Sequence, residues 1–182
     1  MYTEIWIPGT DPTLDSLFEE LRVQQHSDIS HPLYKNYSAE AFEECSALSI
    51  TFDDDQPIVV GSILTRSCWP KNAYRIVNRF WKVQEHRLPH LDRNHGMNVF
   101  SKTVEAHVNY AEQQLNAEMV FISRQYNNWQ TFTKKILTEK IGIEFKYNDH
   151  KYLTCGNEQD DTCWQKILYR GNEDLLADWK NK

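Results

Sequence analysis

The sequence predicts a mixed α/β domain built on a mainly antiparallel central sheet with flanking helices, and three observations carry that prediction. Between residues 48 and 52, apolar side chains recur with a period of two, the mark of a strand with one buried face, and a turn cluster then leads to a return strand over 58–64. From Met97 the period becomes helical, with Phe100, Val104, Val108, Ala111 and Leu115 continuing one stripe. Met119, Val120, Phe121 and Ile122 then form a continuous apolar run, as expected of a strand covered on both faces. A meander that feeds a strand–helix–strand crossover needs antiparallel and parallel pairs in one sheet.

Each element has its own signal. Residues 2–7 alternate as an opening strand and stop at Pro8 and Gly9. Asp11 followed by Pro12 supplies a helix N-cap with proline at the first helical position. Leu14, Leu17, Phe18 and Leu21 continue that helix at helical spacing, and a second short helix is expected over 38–44 with Ser38 as its cap. Leu48, Ile50 and Phe52 alternate with Ser49 and Thr51, which reads as a half-buried strand. Asp53, Asp54 and Asp55 form a turn, and residues 58–64 are the return strand of a hairpin. Residues 74–83 give a third strand with mixed faces, and a polar loop over 84–96 leads into the long helix. After the buried strand, a helix over 128–140 presents Trp129, Phe132 and Ile136 and is closed by Gly142. Residues 143–147, 152–154 and 163–169 read as terminal strand pieces, followed by a short helix over 172–179.

Composition narrows the function classes. The chain has 182 residues without an internal repeat or linker, so one domain spanning 1–182 is expected. Aromatic residues make up 13%, far too many for a disordered chain. Six glycines argue against a glycine-rich nucleotide fold. A net charge of −6 does not favour nucleic acid or an anionic membrane surface. No basic, apolar leader and no run of about 18 apolar residues occurs, so a cytoplasmic protein is expected. Cys45, Cys68, Cys155 and Cys163 lack zinc-site spacing and are read as reduced thiols, although Cys155 and Cys163 could face each other across a hairpin.

Two short segments carry the chemistry. Arg93-Asn94-His95-Gly96-Met97-Asn98 lies between the meander and the long helix, and Thr138-Glu139-Lys140-Ile141-Gly142-Ile143 closes the following helix. With this order of elements, the chain from about Tyr2 to Tyr169 resembles the GCN5-related N-acetyltransferases (GNAT), an acyl-CoA N-acyltransferase fold with two splayed central strands. In that family the loop before the long helix has the pattern Q/R-x-x-G-x-G/A. Its backbone N–H groups and the helix N-terminus bind the pyrophosphate of coenzyme A, because unpaired donors and a positive helix end attract an anion. Arg93 and Gly96 match that pattern, and Asn98 stands where its final Gly or Ala would be. In the second segment Gly142 is in place, Ile143 replaces a phenylalanine, and Thr138 replaces a tyrosine that acts as an acid.

The resemblance implies acetyl-CoA as co-substrate and direct transfer of its acetyl group to an amine of a small molecule or peptide. It implies Arg93, Asn94, His95, Gly96, Met97 and Asn98 as cofactor-binding residues, with Arg87 and Lys102 adding charge. Trp81, Lys82 and Val83 would continue the strand that offers main-chain groups to the pantetheine arm and thioester carbonyl. Glu85 or His86 would serve as base and Tyr126 as replacement acid. A GNAT-fold protein without catalysis, acting as a binding module, is the competing reading, and a homodimer is left open. The remaining clusters have simpler readings. His86, His90 and His95 form an exposed polar loop rather than a metal site, Asp53 to Asp55 a hairpin turn, and His107 a solvated position off the helix stripe. Arg75 and Arg79 are read as structural ion-pairing residues, with recognition of an acidic acceptor as the alternative, and the scattered tryptophans other than Trp81 as packing.

Overall fold

The structure, a computed structural model, describes residues 1–27, 45–80, 93–124, 134–135, 137–154, 159 and 163–181, with backbone alone for 22–27, 78–80, 93–96 and 124. The order of elements is β1 (Tyr2–Trp6), α1 (Pro12–Ser27), β2 (Cys45–Asp53), β3 (Gln56–Leu64), β4 (Ala73–Phe80), α2 (Arg93–Gln114) and β5 (Met119–Arg124). A π-helical segment (Leu137–Ile141), β6 (Lys146–Leu153), β7 (Trp164–Gly171) and α3 (Asp174–Lys180) follow. The strands are hydrogen-bonded in the order β1-β2-β3-β4-β5-β7-β6. The mixed α/β class with a mainly antiparallel sheet is therefore present. The short helix expected over 38–44 lies outside the described residues.

The chain divides into two compact units, residues 1–64 with 77–104, and residues 65–76 with 105–182. In the first unit, Asp11 caps α1 as expected: its Oδ1 accepts the Thr13 and Leu14 N–H groups, both at 3.0 Å. Asp15 one turn on accepts Trp6 Nε1–H at 2.8 Å and Gly9 N–H at 2.9 Å, fixing the helix start against β1. Phe18 and Leu21 of α1 join Trp6, Leu48, Ile50, Phe52 and Val60 in one apolar cluster. The β2–β3 turn holds Asp54 and Asp55 at φ +47 and +61, the left-handed pair that a two-residue hairpin loop requires.

Strand β2 departs from expectation. Alternation predicts one wet face, yet Ser49 and Thr51 are fully buried. Thr51 Oγ1 is hydrogen-bonded to Thr3 Oγ1 at 2.9 Å and to Thr103 Oγ1 of α2 at 2.8 Å. Thr103 Oγ1 also donates to the Val99 carbonyl at 2.9 Å. The second face is dry because hydroxyls satisfy one another there, and a polar residue type does not reveal that in advance.

In the second unit, β5 pairs with β7 over its whole length, from Met119↔Gly171 to Arg124↔Lys166. On its other edge it pairs in parallel with β4 at three positions, Ala73↔Met119, Tyr74↔Val120 and Arg75↔Phe121. Trp69, Phe121, Tyr152 and Trp179 form an aromatic cluster, with Phe121 at 5.0 Å from both tryptophan rings and Tyr152 at 4.7 Å from Trp179. Trp69 Nε1–H donates to the Leu153 carbonyl at 2.9 Å, so Trp69 packs in the core as its simpler reading had it.

Four further expectations are corrected here. The pieces 143–147 and 152–154 are one strand, β6, which starts at Lys146 and is irregular between Asn148 and Tyr152. That irregularity breaks the alternation that would mark a single strand. The end of the helix expected over 128–140 is π-helical, with Leu137 buried; Gly142 does close it, at φ +66. Cys163 is disulfide-bonded, whereas Cys45 and Cys68 are outside any disulfide. A disulfide needs Cβ atoms about 3.8 Å apart, which backbone placement decides and residue spacing does not. His107 is fully buried rather than solvated, because α2 is covered on a wider arc than its apolar stripe, with Ser101 and Thr103 also buried.

Burial pushes the His107 pKa down from 6.5 to about 3. The folded chain therefore keeps this imidazole neutral while the unfolded chain takes up a proton below pH 6.5. Its contribution to stability is present above pH 6.5 and falls as pH drops toward 3, at about 1.4 kcal/mol per pH unit. Urea titrations across this range should show His107→Leu losing stability less steeply with acid than the unsubstituted chain. Glycines give a second test. Gly142 and Gly171 both have positive φ, but only at Gly171 would a Cβ overlap the Glu118 carbonyl oxygen. Gly142→Ala should cost about 1–2 kcal/mol from backbone strain alone. Gly171→Ala should cost clearly more in the same urea melts, and equal losses would rule out the tight approach of β7 to Glu118.

Candidate functional site

The segment read as a phosphate loop belongs to a helix. Helix α2 begins at Arg93, so Arg93, Asn94, His95 and Gly96 lie in its first turn rather than before it. Met97 is half-buried and Asn98 exposed. This corrects the loop expected to run to Gly96. The helix is propagated backward from a strongly buried segment, Val99, Phe100, Ser101, Thr103 and Val104, and one glycine costs only about 1 kcal/mol in a helix. Ser101 Oγ–H donates to the Met97 carbonyl at 2.8 Å, which lets a hydroxyl sit on the buried face.

The electrostatic consequence is favourable to an anion. The first four N–H groups of an α-helix have no intrahelical acceptor, and they sum with the helix dipole to a partial positive charge. In α2 those donors belong to Arg93, Asn94, His95 and Gly96, and no acidic residue lies in the first turn to neutralise them.

In the second unit, strand β5 is bounded differently on its two edges. Beyond Phe121 the strand runs on through Ile122, Ser123 and Arg124, paired with β7 on one edge, and its described pairing with β4 has ended. Ser123 is 7% exposed, and its Oγ has no hydrogen-bond partner. Reasoning from sequence missed this residue. The available signal was one hydroxyl closing an otherwise apolar run.

The other expected residues divide plainly. Trp81, Lys82, Val83, Glu85, His86, Arg87, His90 and Tyr126 lie outside the described residues, as does Trp129. Lys102 is exposed on α2, and Thr138 is exposed on the π-helical segment. Arg75 is half-buried, with Nη1–H reaching the Thr154 carbonyl at 3.5 Å; no side-chain position is described for Arg79. Among the described residues no cluster of three or more His, Cys, Asp or Glu side chains could hold a metal ion.

A further concavity of about 370 Å³ lies beside α3, lined by Tyr169, Glu173, Leu176, Ala177 and Lys180 among others. Glu173 Oε2 accepts from Lys146 Nζ at 3.0 Å and from Tyr169 OH at 3.3 Å. The Lys146 hydrogen bond and charge hold the Glu173 carboxyl below the usual carboxylate range. Burial, followed by the Glu173 charge, pushes the Tyr169 phenol up. The carboxylate is thus already satisfied by its own neighbours, which marks a structural anchor for α3.

No protein-family model and no curated protein matches the sequence. Solved structures do match. AAC(6')-Ib, in complex with ribostamycin and coenzyme A, aligns over 97% of this chain and 97% of its own, with a TM-score of 0.55 and 10% identity. Spermidine N-acetyltransferase SpeG from Vibrio cholerae aligns over 97% and 98%, with a TM-score of 0.52 and 12% identity. Aminoglycoside acetyltransferase AAC(6')-Ib with coenzyme A and kanamycin aligns over 98% and 99%, at 0.52 and 11%. The chain has the GNAT fold. Within that fold α2 is the long helix after the meander, β4 and β5 are the central parallel pair, and Arg93 to Asn98 open the helix.

Proposed function

We propose that this GNAT-fold chain is an N-acetyltransferase that moves the acetyl group of acetyl-CoA directly onto an amine. The observation that carries the proposal is the start of α2, where Arg93 and Gly96 stand in a first turn that holds no acidic residue. An anionic pyrophosphate gains from the N–H donors of such a turn what it loses in leaving water. Arg93, Asn94, His95, Gly96, Met97 and Asn98 are assigned to that end of the donor, and Trp81, Lys82 and Val83 to its pantetheine arm. Glu85 or His86 is assigned to take the proton from the amine as its nitrogen bonds to the acetyl carbon. The carbon–sulfur bond breaks, and Tyr126 returns a proton to the departing thiolate, so the products are an amide and free coenzyme A. Much of the rate in such a transfer comes from aligning amine and thioester.

A small-molecule amine is the acceptor class favoured here. The neighbours in fold act on aminoglycosides or spermidine by their names, and both are cationic at neutral pH. A chain of net charge −6 concentrates cations near its surface. The competing reading, a GNAT-fold binding module without catalysis, has one observation in its favour. Thr138, exposed at the position of the family's tyrosine, cannot act as the acid.

Thermal unfolding with and without acetyl-CoA tests donor binding. At a donor concentration 100 times Kd, stability should rise by about 2.7 kcal/mol. No rise at millimolar donor would defeat the proposal. Gly96→Trp should abolish the rise, since a bulky side chain in the first turn blocks phosphate from the N–H donors. A separate assay of coenzyme A release with spermidine as acceptor divides the two readings. Turnover supports the enzyme, and donor binding without turnover on any of a panel of amines supports the binding module.

A further inference from the structure

We infer that the outer edge of β1 is a docking site for an extended basic polypeptide segment, which adds to the sheet as a strand of alternating cationic and apolar side chains. The inference stands apart from the acetyl transfer proposed above and lies within the first compact unit. β1 ends the sheet, and among the described residues it pairs with β2 alone. That pairing runs from Tyr2↔Phe52 to Trp6↔Leu48 without a bulge, so the strand is regular along its length. In an antiparallel pair alternate residues turn their N–H and carbonyl groups away from the partner, and such a row accepts a further strand.

The side chains along this edge say what the added strand must carry. With a period of two, Tyr2 and Glu4 share one face, while Ile5 and the following Ile7 belong to the other. Met1, Tyr2 and Ile7 are 48%, 47% and 50% exposed. The only other large hydrophobic side chain so exposed among the described residues is Tyr147, on the opposite border of the sheet. Large apolar side chains gathered in water at the two ends of one edge strand mark a contact surface.

Charge decides between occupants. Glu4 is exposed in the middle of β1, and at one end the Tyr2 hydroxyl donates to Asp55 Oδ1 at 3.4 Å, next to exposed Asp54. Strands β1, β2 and β3 contain no lysine or arginine, and the first 64 residues hold twelve acidic against two basic side chains. A second copy pairing antiparallel about the centre of β1 would set Glu4 against Glu4, and like charges directly opposite are unfavourable. A basic strand instead brings a lysine or arginine to Glu4 and to the Tyr2 ring, while its alternate apolar side chains cover Ile5 and Ile7.

Fluorescence anisotropy of labelled, end-blocked seven-residue peptides with the full chain tests this. A peptide alternating valine and lysine should bind. The same residues arranged in two blocks, or valine alternating with glutamate, should not. Methylating alternate backbone nitrogens of the lysine peptide separates strand addition from charge attraction. One of the two alternate sets should abolish binding and the other should leave it, because only one set of N–H groups faces β1. Glu4→Lys should weaken the lysine peptide about fivefold, equivalent to ~1 kcal/mol, and admit the glutamate peptide, with an unchanged melting temperature. Absence of binding by the lysine peptide overturns the inference, as does equal affinity for the block peptide or for both methylated sets. An affinity untouched by Glu4→Lys does the same. Self-association of the chain in sedimentation that the lysine peptide competes away would give this edge to a second copy, and so also overturn it.

Discussion

A strand that is out of reach of water must find partners for every backbone N–H and carbonyl group, and β5 meets that demand unequally on its two edges. Antiparallel β7 accompanies it from Met119 to Arg124, whereas β4 accompanies it only to Phe121. The two strands are drawn together tightly at the start of β5. Glu118 N–H and Met119 N–H both donate to the Asn72 carbonyl, at 3.0 and 3.3 Å, and Asn172 N–H donates to the Glu118 carbonyl at 2.8 Å. Gly171 makes room for that junction by having no Cβ. The start of β5 is thus anchored to both neighbours, and among the described residues its pairing with β4 ends before its pairing with β7 does.

The first unit solves a related problem with side chains. Covering both faces of β2 removes Ser49 and Thr51 from water, and the contact succeeds because Thr3, Thr51 and Thr103 complete one another's hydrogen bonds. Such a chain of hydroxyls acts only when the strands and α2 are in register, so it favours one arrangement over slipped alternatives. Threonine also suits both settings: its branched β-carbon fits a strand, and in a helix its hydroxyl can bond back to the preceding turn.

Local signals were legible in the sequence where a residue acts on its own neighbours. Asp11 as cap, Asp54 and Asp55 in the turn, Gly142 after the last helical turn and the stripe from Phe100 to Ala111 all depend on a few adjacent positions. What escaped depends on residues distant in the chain. The burial of His107 and Thr51, the joining of β6 into one strand and the disulfide at Cys163 are settled by what packs across from them. The candidate site shows the same division. Arg93 and Gly96 are visible as a pattern, whereas their place inside the first turn of α2, and not in a loop before it, shows only in the fold.

The irregularity in β6 has a consequence for the molecule in a crowded solution. β6 is the outermost strand of the sheet at this end, and a flat outer strand would template another chain. Its break in register between Asn148 and Tyr152 makes it irregular, and Lys146, Asp149 and Lys151 line it with charge. Lys166 adds a cation 5.8 Å from the Tyr147 ring, covering the one large aromatic side chain exposed on β6. The strand that reads as two fragments in the sequence is thus an irregular, charged border, a poor template for pairing with another chain.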